Sequence, residues 1–512
     1  MYRYCAKLMA VLLLAIAFLT LAANPLAQAQ TSHPNVAMSP AGASQSAQMY
    51  EAPIDGPPTT DVRLQGSGFD PLTAIDIYFD STVLASTTTD ASGSFGNGVI
   101  TLNGPTFVQI QVPPATAPGE HTITAQEHLG QKSAQKSFLV TTDWTEFRYD
   151  LPHSGTNPYE NILSPDTVGG LNLRWSYPTP GGIYFSSPAV ANGKLYVGDG
   201  SNTLYALNAD TGVLLWKYAV GNYVDSSPTV ANGIVYFGTY YSDPNLYALD
   251  ANTGALIWKY PTQSRISSPV IVNGILYVGS TDGNLYALNA TTGALVWKTP
   301  TSQYDEINSS PAVVNGVVYF GGSDTYVYAL DATTGALIWK HSISGDGIFG
   351  SPTVANGIVY IGGGGPFGGN FYALDAGTGT QLWMFATTGD GIASSPAVSN
   401  GVVYFGANYG NVWALNAATG ALVWRYATGY IVESSPAVAN GVVYIGSEDN
   451  SVYALDAGTG SLLWSYATQN QIISSPVVVN GKLYIGSEDG YMYAFGLPNL
   501  QTEGKAISAH RP

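Results

Sequence analysis

Charge, cysteine and histidine are all scarce in this sequence. Only 10% of its 512 residues are Asp, Glu, Lys or Arg, with one Cys and six His. So little charge excludes coiled coils and helical arrays, while 45% apolar residues is ample for a packed core and excludes wholesale disorder. Basic residues are the scarcest: 17 Lys+Arg against 34 Asp+Glu leave a formal charge of −17, which repels phosphate backbones and argues against nucleic acid as a partner. Long hydrophobic runs are missing except from Leu8 to Ala23, broken only by Thr20. With Arg3 and Lys7 at its start and Ala27-Gln28-Ala29 after it, that run reads as a secretory signal peptide over 1–29, short for a membrane span. No Cys follows it, so a lipid anchor is unsupported. Cleavage would also remove Cys5, giving a secreted chain, extracellular or periplasmic, with no membrane span and no disulfides.

What is abundant is turn-forming and aromatic: 59 Gly, 35 Tyr and 10 Trp, the profile of an all-β protein. Residues 30–60 are rich in Pro, Ser, Ala and Gln without sustained periodicity, and are expected to form a flexible linker. From 61 to 141 short alternating strands (Val62-Arg63-Leu64, Ile75 to Phe79, Phe107 to Val112, His121 to Ala125) predict a small β-sandwich. Residues 142–170 form a lead-in segment, 171–497 a repeat array, and 498–512 a polar tail.

The repeat is marked by a Ser-Pro step at Pro188, Pro228, Pro269, Pro311, Pro352, Pro396, Pro436 and Pro476. Eight all-β copies of about 40 residues predict eight four-stranded propeller blades. Trp216, Trp258, Trp297, Trp339, Trp383, Trp424 and Trp464 end the first seven copies. The eighth runs out at Phe495-Gly496 without one, yet Trp175 stands one period ahead of Trp216. The strand around Trp175 is therefore expected to complete the last blade and cover an otherwise open edge.

The element Ala-x-Thr-Gly-x-x-x-Trp, seen at Ala209 to Trp216 and Ala251 to Trp258, resembles the tryptophan-docking motif of pyrroloquinoline quinone (PQQ)-type propellers. Trp144, Phe147, Arg148, Asp150 and His153-Ser154-Gly155 resemble the lead-in of the same superfamily, and residues 61–141 resemble bacterial immunoglobulin-like modules of the IPT/TIG type. The resemblance implies an eight-bladed propeller closed by N-terminal strand exchange behind a small immunoglobulin-like β-sandwich. The superfamily includes calcium- and quinone-dependent alcohol dehydrogenases and cofactor-free propellers, and fold alone does not choose between them. The enzymes imply an adjacent cysteine pair, carboxylate and amide calcium ligands, and a basic residue near the quinone. No cysteine pair exists. Asp225 and Asn308 match two ligands, Arg265 or His341 the basic group, but Phe349 stands one copy after Asn308.

Alternating connections place the uniform Asn-Gly and Asp-x-x-Thr-Gly turns on one face. The loops before Ser-Ser-Pro and after each second strand, which vary from copy to copy, fall on the other. That variable rim is acidic (Asp199, Asp225, Asp243, Asp282, Asp324, Glu433, Glu448, Asp449, Glu488 and Asp489 among its residues) and carries Tyr184, Tyr223, Tyr240, Tyr241, Tyr304, Tyr409 and Tyr430. Its charge favours cations or positively charged partners, and its rings suit flat recognition of a protein or glycan. Asp225, Asn308 and Glu433 directly precede Ser-Ser-Pro near the channel mouth, in copies 2, 4 and 7, a spacing expected to keep them from sharing one ion. His153 and His341 show no paired spacing for a metal or a triad. The expectation is a secreted, non-catalytic propeller without a cofactor, engaging a protein or glycan at the cell surface through this rim. The alternative is a PQQ- and calcium-dependent dehydrogenase acting on alcohols or sugars.

Overall fold

The computed structural model describes residues 46–498, apart from 97–99, 102–103, 106, 302–305 and 365–367. The expected signal peptide, the first half of the expected linker, Tyr304 and nearly all of the tail lie outside the described residues. Among those described, no helix is long and apolar enough to cross a membrane.

Two sheets of three and five strands share one core at the N-terminal end, built from Val62, Leu64, Ile75, Ile77, Phe79, Ile110, Ile123 and Phe138. Alternation puts these side chains inward, as the sequence predicts. The linker boundary needs correction. Gln48–Ala52 pairs antiparallel with Asp61–Ser67, and Asp55–Gly56 joins the second sheet beside Ser133–Val140, so the sandwich starts at 48. Only Met49 of that first strand is buried, too weak a pattern to stand out in a Pro/Ser-rich stretch.

Eight further sheets form a ring. The first holds Ala189–Ala191, Lys194–Asp199, Thr203–Asn208 and Leu214–Ala219, and six copies follow in the same order up to Leu462–Ala467. The last holds Val477–Val479, Lys482–Ser487 and Tyr491–Gly496, completed by Asn172–Pro178 from ahead of the repeats. Innermost strands neighbour one another in sequence, and Val477–Val479 returns to Ala189–Ala191. The ring closes as the tryptophan register predicts.

Each part of the repeat has a mechanical role. In Ser-Ser-Pro the first serine ties its own blade together: Oγ of Ser186, Ser226, Ser267, Ser309, Ser394 and Ser434 accepts the N–H of a second-strand glycine. The second serine ties blade to blade. The N–H of Ser187 donates to Ser227 Oγ, Ser227 to Ser268, and so on through Ser310, Ser351, Ser395, Ser435 and Ser475, which donates back to Ser187. At the outer edge, Trp216 Nε1 and Tyr196 Oη of the first blade both donate to the carbonyl of Ala251 in the next. The glycine of that turn, Gly254, has φ +71°, and a Cβ there would sit 2.7 Å from the Trp216 ring, so only glycine allows the ring to dock. The pattern recurs up to Trp424 on Gly460, and Trp175 docks on Gly212 in the same way.

The seam between blades 7 and 8 departs from it. The eighth copy has no docking turn, so Trp464 donates instead to the Leu171 carbonyl, and the Tyr444 hydroxyl, buried there, has no hydrogen-bond partner among the described residues.

The lead-in segment crosses the ring. Trp144 exchanges backbone hydrogen bonds with Val190, and the carbonyls of Thr145, Leu151, Pro152, Ser154 and Gly155 accept from Val230, Val313, Val354, Val398 and Val438 in turn. Asn157 Nδ2 then donates to the Val478 carbonyl. One stretch of chain thus touches inner strands around the circle and floors the channel. The buried Arg148 guanidinium fastens it by donating to the carbonyls of Pro396 and Pro436; burial pulls this group down to about 9. Burial, with Arg148 nearby, lowers His153 to about 3, so its imidazole is neutral.

Candidate functional site

Above that floor lies a cavity of ≈ 380 Å³ on the ring axis. Its wall follows a rule of register. The residue three before each repeat proline lines it in all eight copies: Phe185, Asp225, Ile266, Asn308, Phe349, Ala393, Glu433 and Ile473. Equivalent positions of a closed ring share one radius, so whatever side chain occupies this position faces the axis. Seven of the eight linking serines also line the cavity, and Phe147 of the lead-in forms part of its base.

Asp225, Arg265, Asn308 and Glu433 therefore converge on one cavity, although they come from four blades. Arg265 Nε lies 3.7 Å from Asp225 Oδ2, and its Nη1 donates to Asn308 Oδ1 at 3.2 Å. Asn308 Nδ2 in turn donates to Glu306 at 3.1 Å. The guanidinium also lies over the rings of Phe185 (5.1 Å) and Tyr240 (5.6 Å). Burial raises the Asp225 carboxyl above the usual range despite Arg265. Glu433 is raised by burial and by Glu488, and Glu448 reaches about 7 through burial and repulsion from Glu433 and Glu488.

The calcium–quinone pair of the enzymes does not suit this donor set. Calcium takes six to eight oxygen ligands, but a guanidinium stands against both Asp225 and Asn308, the two matching ligands. Among the described residues no three His, Cys, Asp or Glu side chains could hold a metal ion. A quinone bearing several carboxylates would meet Asp225 and Glu433 with Arg265 as the one lining cation among the described residues. His341, the other candidate basic group, lies on the outermost strand of its blade, Leu337–Ser342, away from the axis.

Many of the rim's acids also have a structural role. Asp199, Asp243, Asp282, Asp324, Asp449 and Asp489 each accept the hydroxyl of a third-strand tyrosine: Tyr205, Tyr247, Tyr286, Tyr328, Tyr453 and Tyr493. Several also accept a backbone N–H from the neighbouring loop, such as Gly221 on Asp243 and Gln469 on Asp489. The tyrosines divide as well. Tyr184, Tyr223, Tyr240 and Tyr241 form one row, with centroids 6.4, 6.2 and 4.4 Å apart, starting next in sequence to Phe185. Tyr409 and Tyr430 are exposed on other blades and are not part of it.

The fold and its axial site define a PQQ-like β-propeller. The chain belongs to the PQQ_2 family: the family described as Outer membrane protein assembly factor BamB matches residues 172–325, 237–365, 323–430 and 410–499. A stretch of 111 residues is 33% identical to the alcohol dehydrogenase (quinone), dehydrogenase subunit, of Gluconobacter oxydans (strain 621H), covering 19% of this chain and only 14% of that relative. Among solved structures, the chain resembles a europium-containing methanol dehydrogenase (TM-score 0.59, 16% identity, 69% of this chain and 98% of that one). It also resembles BamB from Moraxella catarrhalis (TM-score 0.54, 22% identity, 64% and 98%) and the quinohemoprotein alcohol dehydrogenase of Comamonas testosteroni (TM-score 0.59, 17% identity, 69% and 80%). These structural likenesses carry the fold, and both BamB and dehydrogenases stand among them.

Sequence reasoning missed Phe185, Ile266, Ala393 and Ile473 as cavity residues because it looked for polar side chains. The signal was present in the distance of each from its repeat proline.

Proposed function

We propose that this protein is a secreted, non-catalytic binding propeller that works without a cofactor and engages a partner at the cell surface through the variable rim. The observation that carries this reading is the row Tyr184–Tyr223–Tyr240–Tyr241, three of whose members are at least a third exposed, beside a cavity mouth walled by Phe185 and Arg265. Exposed, contiguous aromatic rings with polar tips are expensive to leave in water without a partner, and they favour flat contact. A protein partner is the first choice, supported by the family's description as an assembly factor; a glycan is the second.

The test is binding of labelled full chain to cells of the producing organism, before and after treatment with protease or glycosidase. Tyr184→Ala, Tyr223→Ala and Tyr241→Ala together should abolish binding. Thr291→Ala with Thr333→Ala, at exposed turns of the opposite face, should leave it intact. The reverse pattern would refute the choice of face. Loss after glycosidase alone would make the partner a glycan. The dehydrogenase reading draws on the identity to the quinone-dependent subunit. A quinone absorbance after adding PQQ and Ca²⁺, with dye reduction by an alcohol, would establish it and overturn the non-catalytic one.

A further inference from the structure

Among the described residues, several acceptors at the axial cavity have no donor. Asp225 is only 7% exposed and, among the described residues, accepts no hydrogen bond; Arg265, the charged group that acts on it, is 3.7 Å away, beyond hydrogen-bonding distance. A buried carboxylate has lone pairs for about four donors, and leaving them empty is costly. Glu433, on the opposite wall, has neither a hydrogen bond nor an ion pair among the described residues, and Glu488 repels it. Asn408 Oδ1, also at the cavity, is buried without a donor. The lining groups thus carry two carboxylates against one guanidinium.

We propose that this cavity takes the ammonium or guanidinium group of a lysine or arginine side chain, presented by a partner polypeptide lying along the tyrosine row. This rests on the rim-binding reading and specifies its chemistry. An anion would meet Asp225 and Glu433. A neutral polyol would leave the excess charge uncompensated. An organic cation supplies charge and donors together: three N–H groups on an ammonium, five on a guanidinium. The walls already hold one such group, since Arg265 lies over Phe185 and Tyr240 with Asn308 as its acceptor. Because Arg265 already covers Phe185 and Tyr240, the incoming cation is held by the Asp225 and Glu433 carboxylates and not by those two rings. The volume, ≈ 380 Å³, falls within the range of ligand pockets and admits one long side chain. Tyr240 in turn neighbours Tyr223 and Tyr241, giving the backbone behind that side chain a surface to lie on.

Calorimetric titration of the full chain tests this with three capped tripeptides, Gly-Lys-Gly, Gly-Arg-Gly and Gly-(Nε-acetyl-Lys)-Gly, and with spermidine as a free amine. The lysine and arginine peptides should bind about tenfold or more tighter than the acetylated one, and Asp225→Asn and Glu433→Gln should each weaken them by about tenfold. Glu433→Gln removes a desolvated charge with no ion pair and should not lower the melting temperature, whereas Asp225→Asn also takes a carboxylate from Arg265 and should lower it modestly; the melt confirms that each variant is folded. Tyr223→Ala with Tyr241→Ala should weaken the peptides and leave spermidine unchanged. Equal affinity for the acetylated peptide, or insensitivity to both carboxylate substitutions, overturns the cation proposal. Tight spermidine binding without peptide binding overturns the polypeptide source. Either failure leaves the rim reading standing if the triple tyrosine variant still loses cell binding. If that variant binds cells normally, the rim reading itself fails.

Discussion

Two glycines with nearly identical backbones separate the cost of a conformation from the cost of a contact. Gly193 and Gly212 have φ +70° and +72°. A Cβ at Gly193 meets nothing within 4 Å, whereas at Gly212 it would lie 2.7 Å from Cδ2 of Trp175. Alanine at either site pays for the left-handed backbone, ~1–2 kcal/mol. At Gly212 it must also push a fused ring about 1 Å from ordinary contact, and overpacking of this kind costs ~1–3 kcal/mol. Trp175 has little freedom to move, because its Nε1 donates to the Ala209 carbonyl at 3.1 Å and its strand closes the ring. Gly212→Ala should therefore lower the stability by ~1–3 kcal/mol more than Gly193→Ala, read from urea midpoints at unchanged slope. Trp175→Ala alone should cost ~3–5 kcal/mol. In that background Gly212→Ala should fall back to the cost of Gly193→Ala, since its obstacle is gone. Equal penalties in the parent protein, or a penalty at Gly212 that persists without Trp175, would refute the docking argument.

Deleting residues 171–178 should produce a large fall in melting temperature, because the last blade would lose its outer strand; an unchanged melt would refute closure by strand exchange. Tyr444→Phe should be neutral or slightly stabilising, as its buried hydroxyl has no partner, while Tyr404→Phe should cost ~1 kcal/mol for the bond to the Ala457 carbonyl; a denaturant melt distinguishes them. Arg148→Met should destabilise by ~2–4 kcal/mol, since two buried carbonyls lose a charged donor, and a melt that does not fall would show that Arg148 does not fasten the floor. Glu448 sits at about 7 in the fold against 4.5 unperturbed, so the folded state holds a proton that the unfolded chain releases. Stability should then fall as pH rises from about 4.5 to about 7, and Glu448→Gln should flatten that slope in melts across the window.

Repetition made the fold legible. Eight prolines at intervals of 40 to 44 residues, the tryptophan one period ahead of the first copy, and the glycine that each ring needs are local facts with one geometric solution. The sandwich was legible where strands alternate strongly and illegible at Gln48–Ala52, where a single inward residue carries the pattern. The rim acids misled for a related reason. Asp243 and Asp489 group with Asp225 as rim acids, but a tyrosine four residues further on donates to each of the first two, whereas Asp225 faces Arg265 without a hydrogen bond among the described residues.

By itself, the sequence determined the ring, its closure and the face that varies, because each follows from spacing along one chain. The tertiary structure alone decided that Asp225, Arg265, Asn308 and Glu433 meet. Residues up to 208 positions apart in sequence fall on a common axis only after the ring closes and the lead-in segment floors it, and no local pattern encodes that distance. It also decided which charges are left without partners, since burial and hydrogen bonding belong to the surroundings of a side chain and not to its identity.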